Sequence, residues 1–415
     1  MHHNYQMMDF TESFHTLRSL LPSSSQVKSI DGTRIHEFSF TSSSYKILPG
    51  NNEYHCESHD VQLNTGFSFF NDIGEIQDDV HIKDIEVKEN QIFNYHIFRP
   101  EGKEKCHKVT FLFHGFNEKD WTKYLPWAHI ICKETHSAVV LFPIAFHMQR
   151  APKHWSSKRE MYRLSEERKM RFPNMINSTL SNVAISMRLH SMPQRFIWSG
   201  LQTYYDIISF IEYCKQDQHP DISKDFDFNI FSYSIGGFLA QILKLTNYSG
   251  YFDKTKICLF CGGAAFNRLS PVSKFILDSE ANVALYSFLV EHFDRMIEKD
   301  GLLEHYINDS HPEGRVFYAM LDYHKMRDFR EELLRRYEDQ FYAIVLKKDL
   351  IIPSFEVVNT LQGAWRDIKI RVEEVDFDRN YVHENPFPTG VLNSKQVDKD
   401  FSLIFSKICR FLNEN

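Results

Sequence analysis

Residues Phe226 to Leu239 read Phe-Asp-Phe-Asn-Ile-Phe-Ser-Tyr-Ser-Ile-Gly-Gly-Phe-Leu, and the folding of this stretch decides how the chain is organised. Phe226, Phe228, Ile230 and Phe231 predict a strand entering a buried sheet. From Gly237 onward, Phe238, Leu239, Ile242, Leu243 and Leu245 fall at helical spacing and predict a helix packed back on that sheet. The turn between them has Ser234 at its apex, where the hydroxyl is pushed out of the sheet. Such a turn is so crowded that small residues are needed two places either side, and here those places hold Ser232 and Gly236, with Gly237 behind. Ser232 is the poorer choice of apex, because the bulky Ile230 would then occupy a small position.

Three further stretches sit at corresponding places after other predicted strands. Val109 to Phe113 is a near-continuous apolar run, as expected of a strand buried on both faces, and leads into His114-Gly115-Phe116. After a helix from about Trp121 to Thr135, the run Ala138 to Phe142 predicts a parallel partner strand. Phe341 to Leu346 forms another strand, followed by Asp349 and, four residues later, Pro353 opening a helix. A last strand, Ile368 to Phe377, precedes a loop carrying His383 and the sequence Pro386-Phe387, then a C-terminal amphipathic helix.

The order Ser234, Asp349, His383, with an elbow like G-x-S-x-G in which Ser232 replaces the first glycine, resembles the α/β-hydrolase superfamily. The resemblance spans about residues 80 to 415 and stops at the superfamily, in an expected bacterial branch. It implies a mostly parallel central sheet flanked by helices, with helical cap insertions and an N-terminal accessory segment. It also implies that Ser234 is nucleophile, His383 base and Asp349 the acid orienting it. The oxyanion would be held by the Phe116 and Ile235 amides, with His114, Gly115, Ser232, Gly236 and Gly237 shaping the two loops. The expected reaction is cleavage of an ester or related acyl bond of a small-molecule substrate through an acyl-enzyme. A thioesterase or peptidase is open within the same chemistry, and a non-catalytic binding protein on the same fold is the competing class.

Composition is that of an ordinary globular chain: 415 residues, 42% hydrophobic, 25% charged, formal net charge −7. That charge gives no general attraction to nucleic acid. No run of about 18 apolar residues predicts a membrane span. Seven scattered cysteines and an N-terminus unlike a secretory signal lead us to expect a cytoplasmic location with reduced thiols. Cys258-x-x-Cys261 lies on a predicted strand, where such residues face opposite sides, so a redox or metal role is not expected. No cofactor is expected either: there is no H-E-x-x-H, and no G-x-G-x-x-G follows the first buried strand.

The expected organisation is an N-terminal segment over residues 1–78, packed as an accessory layer, and a main domain over 79–415. Two antiparallel strands are predicted from Ile82 to Val87 and from Ile92 to Phe98. Two insertions interrupt the domain, at about 144–197 and 266–339. The first is rich in basic residues, from Arg150 through Lys158, Arg168 and Arg171, and is read as a solvated helical face. The second is helical and reads as a cap; His305, His311 and His324 within it are poor candidates for the catalytic base. His55, Cys56 and His59 resemble half a metal site, but no second cluster with zinc spacing follows nearby, so no metal is expected.

Overall fold

The computed structural model describes residues 9–20, 28–51, 53–64, 83–308, 310–390 and 394–414. Its centre is a nine-stranded sheet. The strands are β1 (Lys28–Ile30), β2 (Thr33–Thr41), β5 (Ile92–Pro100), β6 (Cys106–Phe113), β7 (Ala138–Leu141), β8 (Ile222–Tyr233), β9 (Ile257–Phe260), β10 (Phe341–Leu346) and β11 (Arg371–Val375). They lie in the order β1-β2-β5-β7-β6-β8-β9-β10-β11. The six strands from β7 to β11 along that order are parallel, and β1, β2 and β5 form an antiparallel edge. A separate hairpin pairs β3 (Glu53–Cys56) with β4 (Val61–Asn64).

Three of the parallel strands, β7, β9 and β10, are buried along their whole length because both faces are covered. Along β10, Phe341, Ala343 and Val345 enter one apolar cluster while Tyr342, Ile344 and Leu346 enter the other. That strict alternation follows from the two-residue period of a strand. The helices Arg195–Lys215 and Ile235–Thr246 contribute to the first cluster, and Leu125–Thr135 and Ser394–Asn413 to the second.

Four sequence expectations change. The leader expected as an accessory layer instead supplies β1 and β2, the latter in nine-residue register with β5. Ile82 lies outside the described residues, and Asp84–Glu86 forms a tight helical turn, so the antiparallel partner of β5 is β2. Cys261 falls beyond the end of β9 with φ 49°, which turns it into the same apolar cluster as Cys258. Both are buried free thiols, and burial pushes their pKa values well up.

The fourth concerns two residues of the basic insertion, in which Lys158 and Arg171 are exposed but Arg150 and Arg168 are not. Arg150 and Arg168 are not a solvated face: both are fully buried and paired, Arg150 with Asp206 at 2.8 Å and Arg168 with Asp278 at 2.7 and 3.0 Å. Asp278 also caps the helix Ser279–Tyr286 through the Ala281 amide. This two-pronged ion pair ties the first insertion to the second. Asn117, at the carboxyl end of β6, reaches both through Ser181 O and Phe275 O. No helix among the described residues is long and apolar enough to cross a membrane.

Candidate active site

Ligand sites in open parallel sheets form beyond the carboxyl ends of the strands, and the singled-out residues converge there. Ser234 follows β8, Asp349 follows β10, and His383 lies in the loop after β11 that returns across the sheet. Ser234 Oγ lies 2.7 Å from His383 Nε2, and His383 Nδ1 lies 2.6 Å from Asp349 Oδ2. The other carboxylate oxygen of Asp349 accepts the Ile351 and Ile352 amides, each at 2.9 Å. Those two bonds fix the carboxylate, which in turn places the proton on Nδ1 and leaves Nε2 to accept from the serine. Ser234, Asp349 and His383 are all buried, at 6%, 3% and 4% exposure, so the line of groups is shielded from competing water.

The elbow has the strain its small residues imply. Ser234 adopts φ 56° and ψ −123°, a region that side chains other than glycine rarely enter. A Cβ at Gly236 would stand 2.7 Å from Phe113 O and 2.8 Å from His114 O, so β6 and the elbow approach too closely for any other residue. Gly237 is less constrained: its notional Cβ would be tight only against the Leu259 side chain, at 3.2 Å, with Gly262 and Gly263 at ordinary contact distances of 3.5 and 3.6 Å. Ser232 fits where a glycine was expected because it is fully buried with its hydroxyl donating to Cys258 O at 3.4 Å.

The second loop is built around His114. Its Nδ1–H donates to Gly115 O at 2.7 Å, and Nε2 accepts the Ile144 amide at 2.9 Å. Complete burial, with His147 nearby, holds its pKa well below the usual imidazole value, so it is a neutral strut between the ends of β6 and β7. The Gly115 amide donates to Tyr124 Oη, which donates to Glu118. Phe116 is next in the chain, and Ile235 is the first residue of its helix, with an amide that has no intrahelical acceptor. Phe116 lines both the opening that holds Ser234 and His383 and an adjoining apolar cavity; Ile235 lines the cavity alone.

Sequence reasoning missed the residues that brace the histidine loop. Tyr233 stacks on His383 with centroids 5.5 Å apart and donates its hydroxyl to the His383 carbonyl. Lys123 donates to Glu384 O and pairs with Glu118. Phe387 packs on Phe260 and Phe401 and anchors the loop in the core. Only Phe387 had a visible signal, its place beside Pro386. Arg188 and Arg195, in the cavity wall, share the single buried Asp84 at 2.7 and 3.3 Å, two cations on one carboxylate.

Residues 8–413 match a family described as a family of unknown function, DUF6051. No curated protein matches the chain. Among solved structures, it is similar to a carboxyl esterase 2 from the mycorrhizal fungus Tuber melanosporum, at 11% identity and TM-score 0.44, covering 77% of this chain and 81% of that one. A thermostable esterase from Pseudomonas putida is similar at 10% identity and TM-score 0.42, covering 98% and 89%. An acylaminoacyl peptidase from Pyrococcus horikoshii is similar at 12% identity and TM-score 0.40, covering 89% and 42%.

Proposed function

This chain belongs to DUF6051, a family of unknown function, and we propose that it is a serine hydrolase of the α/β-hydrolase type, cleaving an ester or related acyl bond. The observation that carries this reading is the continuous line Ser234 Oγ, His383 Nε2, His383 Nδ1, Asp349 Oδ2 at 2.7 and 2.6 Å, with the serine held in a strained elbow. A serine hydroxyl is a weak nucleophile at neutral pH, and a positioned imidazole removes its proton as it attacks. In this reading His383 takes the Ser234 proton and then delivers it to the leaving group. Asp349 keeps the productive tautomer and stabilises the imidazolium. The Phe116 and Ile235 amides hold the oxyanion, each worth about 10² to 10³ in rate. Water then cleaves the acyl-enzyme by the same steps in reverse order.

The apolar cavity beside Phe116 is the acyl pocket in this reading. Phe196, Phe238 and Phe317 line it, which favours short acyl chains over long ones. Because Asn117 joins residues of both insertions at the opening, those insertions act as the cap. The test is hydrolysis of p-nitrophenyl esters of graded chain length by the wild type and Ser234→Ala. Turnover of short esters that falls at least about 10⁴-fold in the variant supports the assignment; turnover unchanged in the variant removes it.

A further inference from the structure

The half-site noted in the sequence has a second half. The turn of the β3–β4 hairpin brings Cys56 and His59 against His305, on the helix Gly301–Ile307, and His311, at the start of the helix Pro312–Leu321. One ligand-capable atom from each of the four residues falls within 4.8 Å of every other. Cys56 Sγ is 3.4 Å from His59 Nδ1 and 3.5 Å from His311 Nε2, and His311 Nε2 is 3.1 Å from His305 Nε2. A tetrahedral zinc ion with Zn–N of about 2.0 Å and Zn–S of about 2.3 Å has ligand edges of roughly 3.3 to 3.6 Å. The three measured edges lie at or just below that range. We propose that Cys56, His59, His305 and His311 bind one zinc ion in a closed, structural site that fastens the hairpin to the helical insertion.

Two further observations favour an ion over a hydrogen-bonded cluster. First, His311 Nδ1 lies 2.7 Å from Glu313 Oε1, and Tyr205 donates to the same buried carboxylate. A carboxylate on the far nitrogen turns the lone pair of Nε2 into the cluster, which is the arrangement that orients metal-bound histidines. Second, the hairpin has only four residues per strand and, among the described residues, pairs with no other strand, and such an isolated hairpin is marginally stable in water. The charges also balance. Binding releases the Cys56 thiol proton, so Zn²⁺, the thiolate and Glu313 sum to zero around three neutral imidazoles. With four protein ligands no position is left open for water, which makes the role structural. None of the four lines the opening that holds Ser234.

Zinc content of the purified full chain, measured by elemental mass spectrometry after dialysis, tests this directly. The expected result is about one zinc per chain in the wild type and in Ser234→Ala, and loss of that stoichiometric zinc in Cys56→Ser and in His59→Ala. His59 is exposed, so that variant keeps the test sound if Cys56→Ser folds poorly. Glu313→Gln is expected to weaken zinc binding by about 10- to 100-fold while leaving all four ligands in place. Cobalt(II) added to chelator-stripped protein is expected to give tetrahedral visible bands and a thiolate charge-transfer band that Cys56→Ser abolishes. A wild type that neither carries zinc nor binds added zinc more tightly than His59→Ala would overturn the proposal and leave a hydrogen-bonded cluster. Equal zinc in the wild type and both ligand variants would overturn it as well, marking the ion as adventitious.

Discussion

Replacing Ser234 with glycine and, separately, with alanine measures the strain stored in the elbow. Ser234 sits at φ 56° and ψ −123°, and a non-glycine residue held in so sparse a region costs about 1 to 3 kcal/mol. Alanine keeps that cost and glycine removes it. Both variants lose the same hydrogen bond to His383, so its contribution cancels in the comparison. Glycine also raises the entropy of the unfolded chain, which takes back about 0.5 to 1 kcal/mol. Ser234→Gly should therefore be more stable than Ser234→Ala by about 1 kcal/mol. In a chain of 415 residues that corresponds to only about 1 °C in Tm, so denaturant midpoints are the better assay. Alanine as stable as glycine, or more so, would refute the claim that the turn is strained, since glycine is otherwise the worse residue.

Three other perturbations probe the surroundings. Gly236→Ala would place a methyl group 2.7 Å from Phe113 O, so a loss of about 1 to 3 kcal/mol is expected, together with at least a 100-fold fall in kcat/KM, about the effect of one misplaced oxyanion donor; an unchanged rate would show that β6 can move aside. Arg168→Ala strands the buried Asp278 carboxylate and should cost about 3 to 5 kcal/mol, read by denaturant unfolding, where a loss under 1 kcal/mol would mean that water reaches the pair. His219 accepts the Asp221 and Ile222 amides on Nδ1, and burial lowers its pKa to about 4. Its folded value lies below its unfolded one, so its stabilisation is complete above about pH 6.5 and drains away towards pH 4, at up to about 1.4 kcal/mol per pH unit. His219→Asn keeps an acceptor near those amides but does not titrate, and its stability should fall less steeply across that window; an identical pH slope would refute the assignment.

How much of this was legible in the sequence depended on how local each signal is. The elbow, His114-Gly115, Asp349 and His383 are each written within a few residues of a strand end, where an apolar run meets a small or polar residue. The same holds for β8, β10 and the C-terminal helix. What escaped depends on pairing between distant residues. The pairing of β2 escaped because its partner, β5, lies some fifty residues on. Arg150 and Arg168 read as solvated because Asp206 and Asp278 are 56 and 110 residues away. Cys56 and His311, separated by 255 residues, could not be joined by any local spacing rule. Tyr233 carries no local signal of its role, and only the fold shows it stacked on His383.

The measurement closest to the central claim is labelling of the intact protein by a fluorophosphonate, with the modified residue located by peptide mass spectrometry. A serine activated by a neighbouring imidazole reacts with such a reagent and an ordinary serine does not. The account predicts a single adduct on Ser234, abolished in His383→Ala. Absence of any adduct on Ser234, or an adduct that persists unchanged in His383→Ala, would contradict it.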